Sequence, residues 1–387
     1  MSNVSDISRL IEFVRDEYRT TDFIPLHAPK FEGNEQTYVA DAIKSTFVSS
    51  VGSYVDKFEK NFAEYTGSPA AIAAVNGTAA LHIALKLVGV EHNDLVITQP
   101  LTFVATCNAI AYCGAEPIFV DVCCETLGMS AAALENWLFE NAELNNSNKC
   151  VEKISGRVVR ACVPMHTFGH PVDIDGLLKV CKNWNISLVE DAAESLGSTY
   201  KGRHTGTFGV VGVFSFNGNK IITTGGGGMI LSNMTLGARA KHLTTTAKIP
   251  HSFEYYHDEI GFNYRLPNLN AAMGCAQLEQ INQFICTKRQ LAMKYAEFFA
   301  TSDLRFVTEP QDCRSNYWLN SVVCQDRVQR DEMLSTTNEQ GVMTRPVWTL
   351  MNRLPMFKNC LRSDLPNAEF LEDRLVNLPS SVTSTVK

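Results

Sequence analysis

The chain has 387 residues, of which 45% are hydrophobic and 19% are charged, so it carries enough apolar material for a sizeable core. Its formal net charge of −7 and the absence of any lysine- or arginine-rich run argue against a nucleic-acid-binding protein. No apolar run approaches membrane-spanning length, and twelve scattered cysteines without CxxC spacing are typical of reduced cytoplasmic proteins. We therefore expect a cytoplasmic protein without a membrane partner.

The first predicted element is a short helix, because Ile7, Leu10, Ile11 and Val14 fall on one helical face. Further along, short apolar runs alternate with helical patterns. These runs are AIAAV (71–75), DLVITQ (94–99), EPIFVDV (116–122), VVRACVPMH (158–166) and ISLVEDAA (186–193). They are apolar on both faces, as parallel strands covered by helices must be. The rhythm predicts an α/β domain with a mostly parallel sheet.

The rhythm changes after about residue 235. Residues 268–300 read as one long helix or two joined helices, and the rest of the chain mixes short strands and helices. We therefore predict a large domain over residues 1–250, which includes the N-terminal helix, and a smaller α/β domain over residues 251–387. The polar stretch NAELNNSNK (141–149) is predicted to be a loop.

Two places at the strand ends of the predicted sheet could bind ligands, one an anion and the other a cation. Asn76-Gly77-Thr78 ends a buried strand and opens a helix, whose free N–H groups could hold a phosphate. An ordinary helix cap would use the same residue types. Glu190 and Asp191 end another apolar strand, and Glu194 follows. Ligands of open α/β sheets bind beyond such strand ends, although a helix N-terminal acid is an equally good interpretation.

The segment VVGVFSFNGNKIITTGGGGMI places one lysine, Lys220, between two apolar strands and follows it with four glycines. Desolvation favours a neutral amine, which is a nucleophile for carbonyl groups. A surface turn is the alternative, but four glycines cost conformational entropy and suggest close approach of the backbone to a ligand. No nucleotide-binding glycine motif, GxxxxGK[ST] or GxGxxG, is present.

Together these pieces match what pyridoxal phosphate requires. The cofactor needs a lysine for covalent attachment, an acid for its ring nitrogen and a cup for its phosphate. Lys220, Asp191 and residues 76–78 could supply these in turn. Phe103 could stack on the ring, and Ser215 could give the phosphate a further hydroxyl.

Five motifs resemble the DegT-type sugar-nucleotide aminotransferases, a branch of the fold-type-I pyridoxal-phosphate enzymes. They are NGTAALHIAL, VPMHTFGHPVDID, VEDAAESLGS, FSFNGNKIITTGGGGMI and GFNYRLPNLNAAMGCAQLE, and the resemblance spans residues 23–383. It implies the fold of aspartate aminotransferase, pyridoxal 5'-phosphate as cofactor, a nucleotide-linked keto sugar and L-glutamate as substrates, and a homodimer with shared active sites.

The resemblance also implies roles for individual residues. Lys220 would be the catalytic lysine, which attaches the cofactor and moves the proton. The cofactor-binding residues would be Gly77, Thr78, Phe103, Asp191, Glu194, Ser215 and Asn263. Asn263 and Arg265 would reach into the partner subunit's site. Lys30, His170, Arg265 and Arg345 are the candidate substrate contacts. Gly226 stands where many family members carry Glu, so the loop is expected to be more open here.

The N-terminal stretch FIPLHAPKFEGNEQTYVADAIKSTFVSSVG resembles the subgroup that aminates UDP-linked 4-keto-6-deoxy-N-acetylhexosamines in bacillosamine and legionaminic acid pathways. That similarity implies a UDP-2-acetamido-2,6-dideoxy-4-hexulose as substrate, aminated at C4. GDP-4-keto-6-deoxymannose, which gives perosamine, is the nearest alternative, followed by dTDP-keto sugars. A dehydratase or a regulatory binding protein of the same fold is a further alternative, which the retained lysine disfavours. No metal is expected, because Gly169 and Pro171 make a helical zinc pair of His166 and His170 improbable.

Overall fold

A computed structural model describes residues 2–383, with side chains from residue 6 onward. The α-helices in this range are α1 (Ser2–Tyr18), α2 (Glu35–Lys44), α3 (Ser53–Thr66), α4 (Gly77–Leu87), α5 (Val104–Tyr112), α6 (Ala131–Asn141), α7 (Ile174–Asn183), α8 (Met234–Thr244), α9 (Asn268–Glu279), α10 (Ile281–Phe299), α11 (Arg327–Glu339) and α12 (Pro366–Arg374). Two short 3₁₀ helices cover Thr167–Gly169 and Met351–Arg353. No helix in the described range is long and apolar enough to cross a membrane.

The β-strands of the same range are β1 (Ala70–Ala74), β2 (Leu95–Thr98), β3 (Glu116–Phe119), β4 (Ala142–Leu144), β5 (Cys150–Glu152), β6 (Val159–Val163), β7 (Ser187–Asp191), β8 (Thr199–Tyr200), β9 (Arg203–His204), β10 (Val211–Ser215), β11 (Gly228–Ser232), β12 (Lys248–Ile249), β13 (Tyr256–His257), β14 (Arg305–Phe306), β15 (Cys313–Arg314), β16 (Asn320–Val323), β17 (Arg345–Pro346) and β18 (Leu375–Leu378).

A seven-stranded sheet in the order β1-β11-β10-β7-β6-β2-β3 forms the centre of the molecule. The neighbours from β10 through β7, β6 and β2 to β3 run parallel. Each of the five predicted strands lies where the apolar runs placed it. Their side chains are buried on both faces, as parallel strands beneath helices require. The prediction of a fold-type-I α/β architecture is confirmed.

Strand β11 is the exception to the parallel direction, because it runs antiparallel to both β1 and β10. It begins at Gly228, directly opposite Ala74, the last residue of β1. A Cβ atom on Gly228 would lie 2.6 Å from the carbonyl oxygen of Asn76 and 2.9 Å from the amide nitrogen of Gly77. Glycine is therefore required where β11 passes the start of α4.

A second, four-stranded sheet, β14-β16-β18-β17, forms with α10, α11 and α12 the C-terminal part of the chain. Helix α1 packs into the core of this part rather than against the large sheet. Its predicted apolar face is buried there against residues such as Tyr295 and Val376, and consists of Ile7, Leu10, Ile11 and Val14. The sequence placed the N-terminal helix in the large domain, but the helix packs with the C-terminal part of the chain. The division of the chain at residue 250 stays a prediction.

Two local predictions are refined by the structure. The stretch 141–149 is not a plain loop, because it contains β4, which pairs with β5 as an antiparallel hairpin, together with the tip between them. The helical stretch 268–300 is two joined helices, which meet at Gln280.

Candidate active site

Lys220 lies in the connection between β10 and β11, where its side chain is only 12% exposed. Its Nζ atom is 3.2 Å from Oε1 of Glu194 and 3.9 Å from the centroid of the Trp318 ring. The amide of Lys220 donates to the carbonyl oxygen of Asn217, which closes a turn. The amine is therefore held at a defined position between a carboxylate and an aromatic face.

Asp191 is the last residue of β7 and is buried. Its Oδ2 accepts a hydrogen bond of 2.7 Å from the hydroxyl of Thr106, and its Oδ1 accepts one from the amide of Ala193. Burial raises the pKa of Asp191, and the bond from Thr106 opposes that rise. A cationic group beside Asp191 would offset the cost of burying its charge.

Glu194 lies one turn after β7 and faces the same space as Lys220. Its Oε2 accepts a hydrogen bond of 2.9 Å from the amide of Phe168, while Oε1 faces Nζ of Lys220. Burial raises the pKa of Glu194, and the charge of Lys220 opposes the rise. Phe168 has a φ of 55°, a left-handed backbone conformation that costs energy in a bulky residue and is found most often at functional sites.

Glu190, the neighbour of Asp191, is directed to other partners. It accepts hydrogen bonds from the ring of His166 and from the amides of Gly206, Phe208 and Gly209. Burial opposes its ionisation, but these hydrogen bonds lower the pKa of Glu190 overall. Successive residues of a strand point to opposite faces, so only one of the two strand-end acids can face Thr106.

The predicted anion site forms where α4 begins. Asn76 caps this helix by accepting the amide of Ala79, while the amides of Gly77 and Thr78 belong to its first turn and have no intrahelical acceptor. A Cβ atom on Gly77 would lie 2.9 Å from Cβ of Ser215, so the hydroxyl of Ser215 stands against this turn. Backbone amides, a hydroxyl and the helix dipole suit a phosphate.

A line of aromatic rings extends from Lys220 to Phe103, the residue predicted to stack on the cofactor. Trp318 contacts Phe168 at 6.3 Å between ring centroids, Phe168 contacts Trp348 at 5.1 Å, and Trp348 contacts Phe103 at 6.4 Å. Phe103 is 50% exposed at the start of α5. A half-exposed ring at the end of a buried aromatic wall is suited to covering a flat ligand.

The residues present fit pyridoxal phosphate on three independent observations. The lysine is held beside a buried acid, Glu194, shortly after a parallel strand ends. The phosphate cradle at Gly77 is a space that a Cβ atom would fill. The buried carboxyl of Asp191 has a raised pKa, which a cationic ring nitrogen would bring down.

Asn263 and Arg265 lie on a segment that pairs with Thr245 and with Ala74, the last residue of β1. They line a pocket of about 480 Å³ together with Lys241, Lys248 and His251. The Nε atom of Arg265 is buried and has no hydrogen-bond partner among residues 2–383. Their predicted contribution to a partner subunit's site stays a prediction.

The remaining substrate candidates differ in their burial and in their partners. Nζ of Lys30 is 3.3 Å from Glu32 and 3.4 Å from the carbonyl oxygen of Thr383. Arg345 lies in β17, is exposed, and forms no ion pair within the described part of the chain. His170 is fully buried with its edge against Tyr317, and burial lowers its pKa to about 4. A fully buried ring cannot touch a substrate in this arrangement, so the structure does not support that role for His170.

His166 and His170 do not form a metal pair, because both ring nitrogens of His166 already bond to Glu190 and to the amide of Val172. In the described range, one group has the geometry of metal ligands, namely His242, Asp258 and Glu259. Arg239 already forms an ion pair with Glu259, and the ring of His242 forms a hydrogen bond with Asp258. We assign no metal to this group.

Sequence reasoning missed two residues of the site. Trp318 lies under the amine of Lys220, and Thr106 holds Asp191 from 85 positions away. Nothing in the sequence around Trp318 indicates this contact. Thr106 lies three residues after Phe103, so the segment LTFVAT was the one available signal.

A mostly parallel sheet with a shielded lysine, a buried strand-end aspartate and a phosphate cradle defines a fold-type-I pyridoxal-phosphate transferase. The comparisons with known proteins give the family. Residues 29–386 match the model of the DegT/DnrJ/EryC1/StrS aminotransferase family, and the chain belongs to that family. It is thus a pyridoxal-phosphate-dependent sugar aminotransferase.

Comparison with individual proteins shows which members of the family the chain is similar to. The chain is 39% identical to a GDP-perosamine synthase of Escherichia coli O157:H7, over 92% of this chain and 93% of that protein. It is 36% identical to a GDP-perosamine synthase of Caulobacter vibrioides over the same shares. The crystal structure of the aminotransferase TlmJ from Streptoalloteichus hindustanus is 28% identical, with a TM-score of 0.83 over 92% of this chain and 93% of that one. These relatives do not support the expected closeness to UDP-sugar aminotransferases.

Proposed function

We propose that this protein transfers an amino group from L-glutamate to C4 of a GDP-linked 4-keto-6-deoxy sugar. The observation that carries this proposal is the 39% identity, over nearly the whole chain, to a protein named GDP-perosamine synthase. It replaces the UDP-linked sugar as the first candidate. Retention of Lys220 favours amino transfer over dehydration.

A UDP-linked 4-keto-6-deoxy-N-acetylhexosamine is the second candidate. Its support is the resemblance of residues 23–52 to that subgroup. This segment runs close to the candidate site, because the ring of His27 lies 6.5 Å from that of Trp318. The side chain of Gln277 in α9 also donates to the carbonyl oxygen of Lys30. Substrate choice is therefore best tested by direct competition between the two sugars.

When bound, pyridoxal phosphate supplies the electron sink that allows an amino group to leave one carbon and join another. The chain's own residues would hold the cofactor and move the proton. Nζ of Lys220 would be the atom that attaches the cofactor and that carries the proton to and from the reacting carbon. Oε1 of Glu194, at 3.2 Å, keeps that atom in place when it is free.

The other residues of the site would bind and orient the cofactor. The carboxylate of Asp191, fixed by Thr106, would hold a proton on the ring nitrogen. The first turn of α4 and the hydroxyl of Ser215 would bind the phosphate. The wall formed by Phe168, Trp318 and Trp348 would exclude water from one side of the site.

The cofactor and donor are tested by the visible absorption of the purified protein before and after addition of L-glutamate. We expect a yellow protein whose band is lost on addition of glutamate, with release of 2-oxoglutarate. Lys220→Ala should lack the normal band. A colourless protein that takes up no added pyridoxal phosphate would refute the proposal.

The sugar is tested by offering the glutamate-treated protein GDP-4-keto-6-deoxymannose and UDP-2-acetamido-2,6-dideoxy-4-hexulose in equal amounts. Return of the yellow band, and the mass of the aminated product, report which sugar reacts. We expect the GDP-linked sugar to react faster. Faster reaction of the UDP-linked sugar would assign the second candidate and overturn the first.

The homodimer with shared sites is tested by mixing two inactive variants, Lys220→Ala and Arg265→Ala. If Arg265 acts in the partner's site, mixed dimers contain one intact site and regain part of the activity. Light scattering gives the oligomeric state in the same samples. No recovery from subunits that do exchange would place Arg265 in its own subunit's site.

A further inference from the structure

The amine of Lys220 touches an aromatic face that no motif predicts. Its Nζ atom stands 3.9 Å from the centroid of the Trp318 ring, which is only 4% exposed. A cation over an indole face is stabilised by the ring's negative potential, and indole is the strongest side chain for this contact. Since the ring is buried, water does not compete for that face.

Trp318 also holds the turn that carries the lysine. Its indole Nε1–H donates a hydrogen bond of 2.7 Å to the carbonyl oxygen of Asn219, the residue before Lys220. The same side chain therefore contacts both the amine at the end of Lys220 and the backbone at its start. A buried indole N–H usually finds an acceptor, and here that acceptor belongs to the turn that carries the lysine.

The backbone of Trp318 is fixed to the segment that carries Glu194. The side chain of Asn316 accepts the amide of Trp318 through Oδ1, at 2.8 Å. Its Nδ2 donates to the carbonyl oxygens of Glu194 and Leu196, each at 2.9 Å. One asparagine thus sets the position of the aromatic face relative to the carboxylate on the other side of the amine.

Lys288 and Phe168 also hold Trp318 in place. Lys288 is fully buried, and its Nζ donates to the carbonyl oxygen of Trp318 at 3.1 Å and to that of Ser380. The ring of Phe168 packs on Trp318 while its amide holds Glu194. Both groups that flank the amine of Lys220 are consequently held by the same small set of buried residues.

We propose that Trp318 is a positioning residue for Lys220, which stabilises the free amine of Lys220 in its protonated state and holds it facing the reacting carbon. The inference rests on the proposed function, because Nζ would carry a proton for amino transfer only when it is not bonded to the cofactor. Nζ would then take a proton from the donor carbon, while the cofactor ring would hold the electron pair of that C–H bond. The cation so formed would deliver the same proton to a carbon of the cofactor. The ring face stabilises the cation formed between these two transfers.

The test compares Trp318→Phe and Trp318→Leu with Trp137→Leu as a matched control. Trp137 is also 4% exposed but lies in a separate core cluster beneath α6. Each variant is loaded with pyridoxal phosphate, and the bound fraction is measured by absorbance. The single-turnover rate with L-glutamate is then measured per bound cofactor, over a range of glutamate concentrations.

We expect Trp318→Leu to lower the maximal rate roughly three- to thirtyfold, the range of a lost cation–π contact, with the half-saturating glutamate concentration unchanged. Trp318→Phe keeps an aromatic face and should lie between it and the wild type, so it serves if the Leu variant fails to fold. Trp137→Leu should lower thermal stability only.

Wild-type rates per bound cofactor in both Trp318 variants would overturn the inference. So would an equal loss of rate in Trp137→Leu, since that would mark a general effect of core packing. If the wild type itself binds no pyridoxal phosphate, the proposed function fails as well, and that result is separate from a loss confined to Trp318.

Discussion

Strand β7 ends in two acids that are neighbours in sequence and have different partners in the structure. Glu190 receives hydrogen bonds from three backbone amides and one imidazole, whereas Asp191 receives one from Thr106 and one from the amide of Ala193. A carboxylate surrounded by protein donors stabilises the loop that provides them. A carboxylate with fewer donors keeps capacity for a ligand.

The first prediction separates these two acids. Asp191→Asn should slow the glutamate half-reaction by roughly a hundredfold or more, because a charge aimed at the reacting system is lost. Glu190→Gln should instead destabilise the protein by about 1–3 kcal/mol, since an amide cannot accept all of its hydrogen bonds. Single-turnover rates per bound cofactor and melting temperatures report the two effects. The opposite assignment of the two effects would contradict the separation.

The second prediction concerns Thr106, which holds Oδ2 of Asp191 at 2.7 Å. Thr106→Val keeps the shape of the side chain and removes the hydroxyl, so Asp191 turns more freely and its charge is less well satisfied. We expect a roughly tenfold lower rate per bound cofactor, equivalent to about 1.4 kcal/mol. Thr106→Ser keeps the hydroxyl and is the control. Equal rates in the Val and Ser variants would show that the hydrogen bond has no catalytic effect.

At the scale of elements, the sequence predicted the positions of strands better than the contacts between residues that are far apart in the chain. The parallel strands are short runs, apolar on both faces, and this pattern is a local property that sequence displays directly. Thr106 and Asp191 are 85 positions apart, and Asn219 and Trp318 are 99 apart. Only the folded chain brings such residues together, so no local pattern predicts them. Helix α1 illustrates the same limit, since its apolar face was predicted and its packing partner was not.

The four glycines that follow Lys220, the last of which begins β11, are also explained only by the folded structure. A Cβ on Gly228 would meet backbone atoms of Asn76 and Gly77 at 2.6 and 2.9 Å, whereas one on Gly226 would have its nearest neighbour at 3.9 Å. Gly225 has a φ of 80°, which disfavours a side chain there for a different reason. The structure thus shows a close approach of Gly228 to the start of α4, whereas the approach to a ligand that the sequence suggested stays a prediction.

The third prediction tests this difference between the glycines. Gly228→Ala should push β11 away from the first turn of α4 and weaken the affinity for pyridoxal phosphate by about tenfold or more, which corresponds to about 1.4 kcal/mol. Gly226→Ala should bind the cofactor like the wild type, because the new methyl group enters free space. Equilibrium titration of both apo-variants measures the affinities. Equal weakening in both variants would mean that loop flexibility, rather than close approach, is what matters.

At the scale of the whole molecule, residues 26–28 meet residues 380–381 behind the lysine site. The amide of Ser380 donates to the carbonyl oxygen of Leu26, and the amide of Ala28 donates to the hydroxyl of Ser381. Lys288 of α10 joins this region to Trp318 through its hydrogen bonds to the carbonyl oxygens of Ser380 and Trp318. A neutral amine has two N–H donors, one for each of these carbonyls. Burial lowers the pKa of Lys288 to about 7.

The fourth prediction follows from that pKa. In the unfolded chain a lysine has a pKa near 10.4, so between pH 7 and about 10 the unfolded state binds more protons than the folded one. The contribution of Lys288 to the free energy of unfolding therefore rises with pH in this window, by up to about 1.4 kcal/mol per pH unit. Below the window this contribution is constant. Lys288→Met removes the titrating group. Its melting temperature should rise less than that of the wild type between pH 7 and about 9.5.

The control for Lys288→Met is Lys60→Met, since the side chain of Lys60 is 75% exposed and its environment changes little on unfolding. Its melting temperature should follow the wild-type pH dependence. Taking the difference between each variant and the wild type cancels the contribution of all other titrating groups. Parallel curves for wild type and Lys288→Met would mean that Lys288 stays charged in the fold. Its two carbonyl acceptors would then stabilise an ammonium ion behind Trp318.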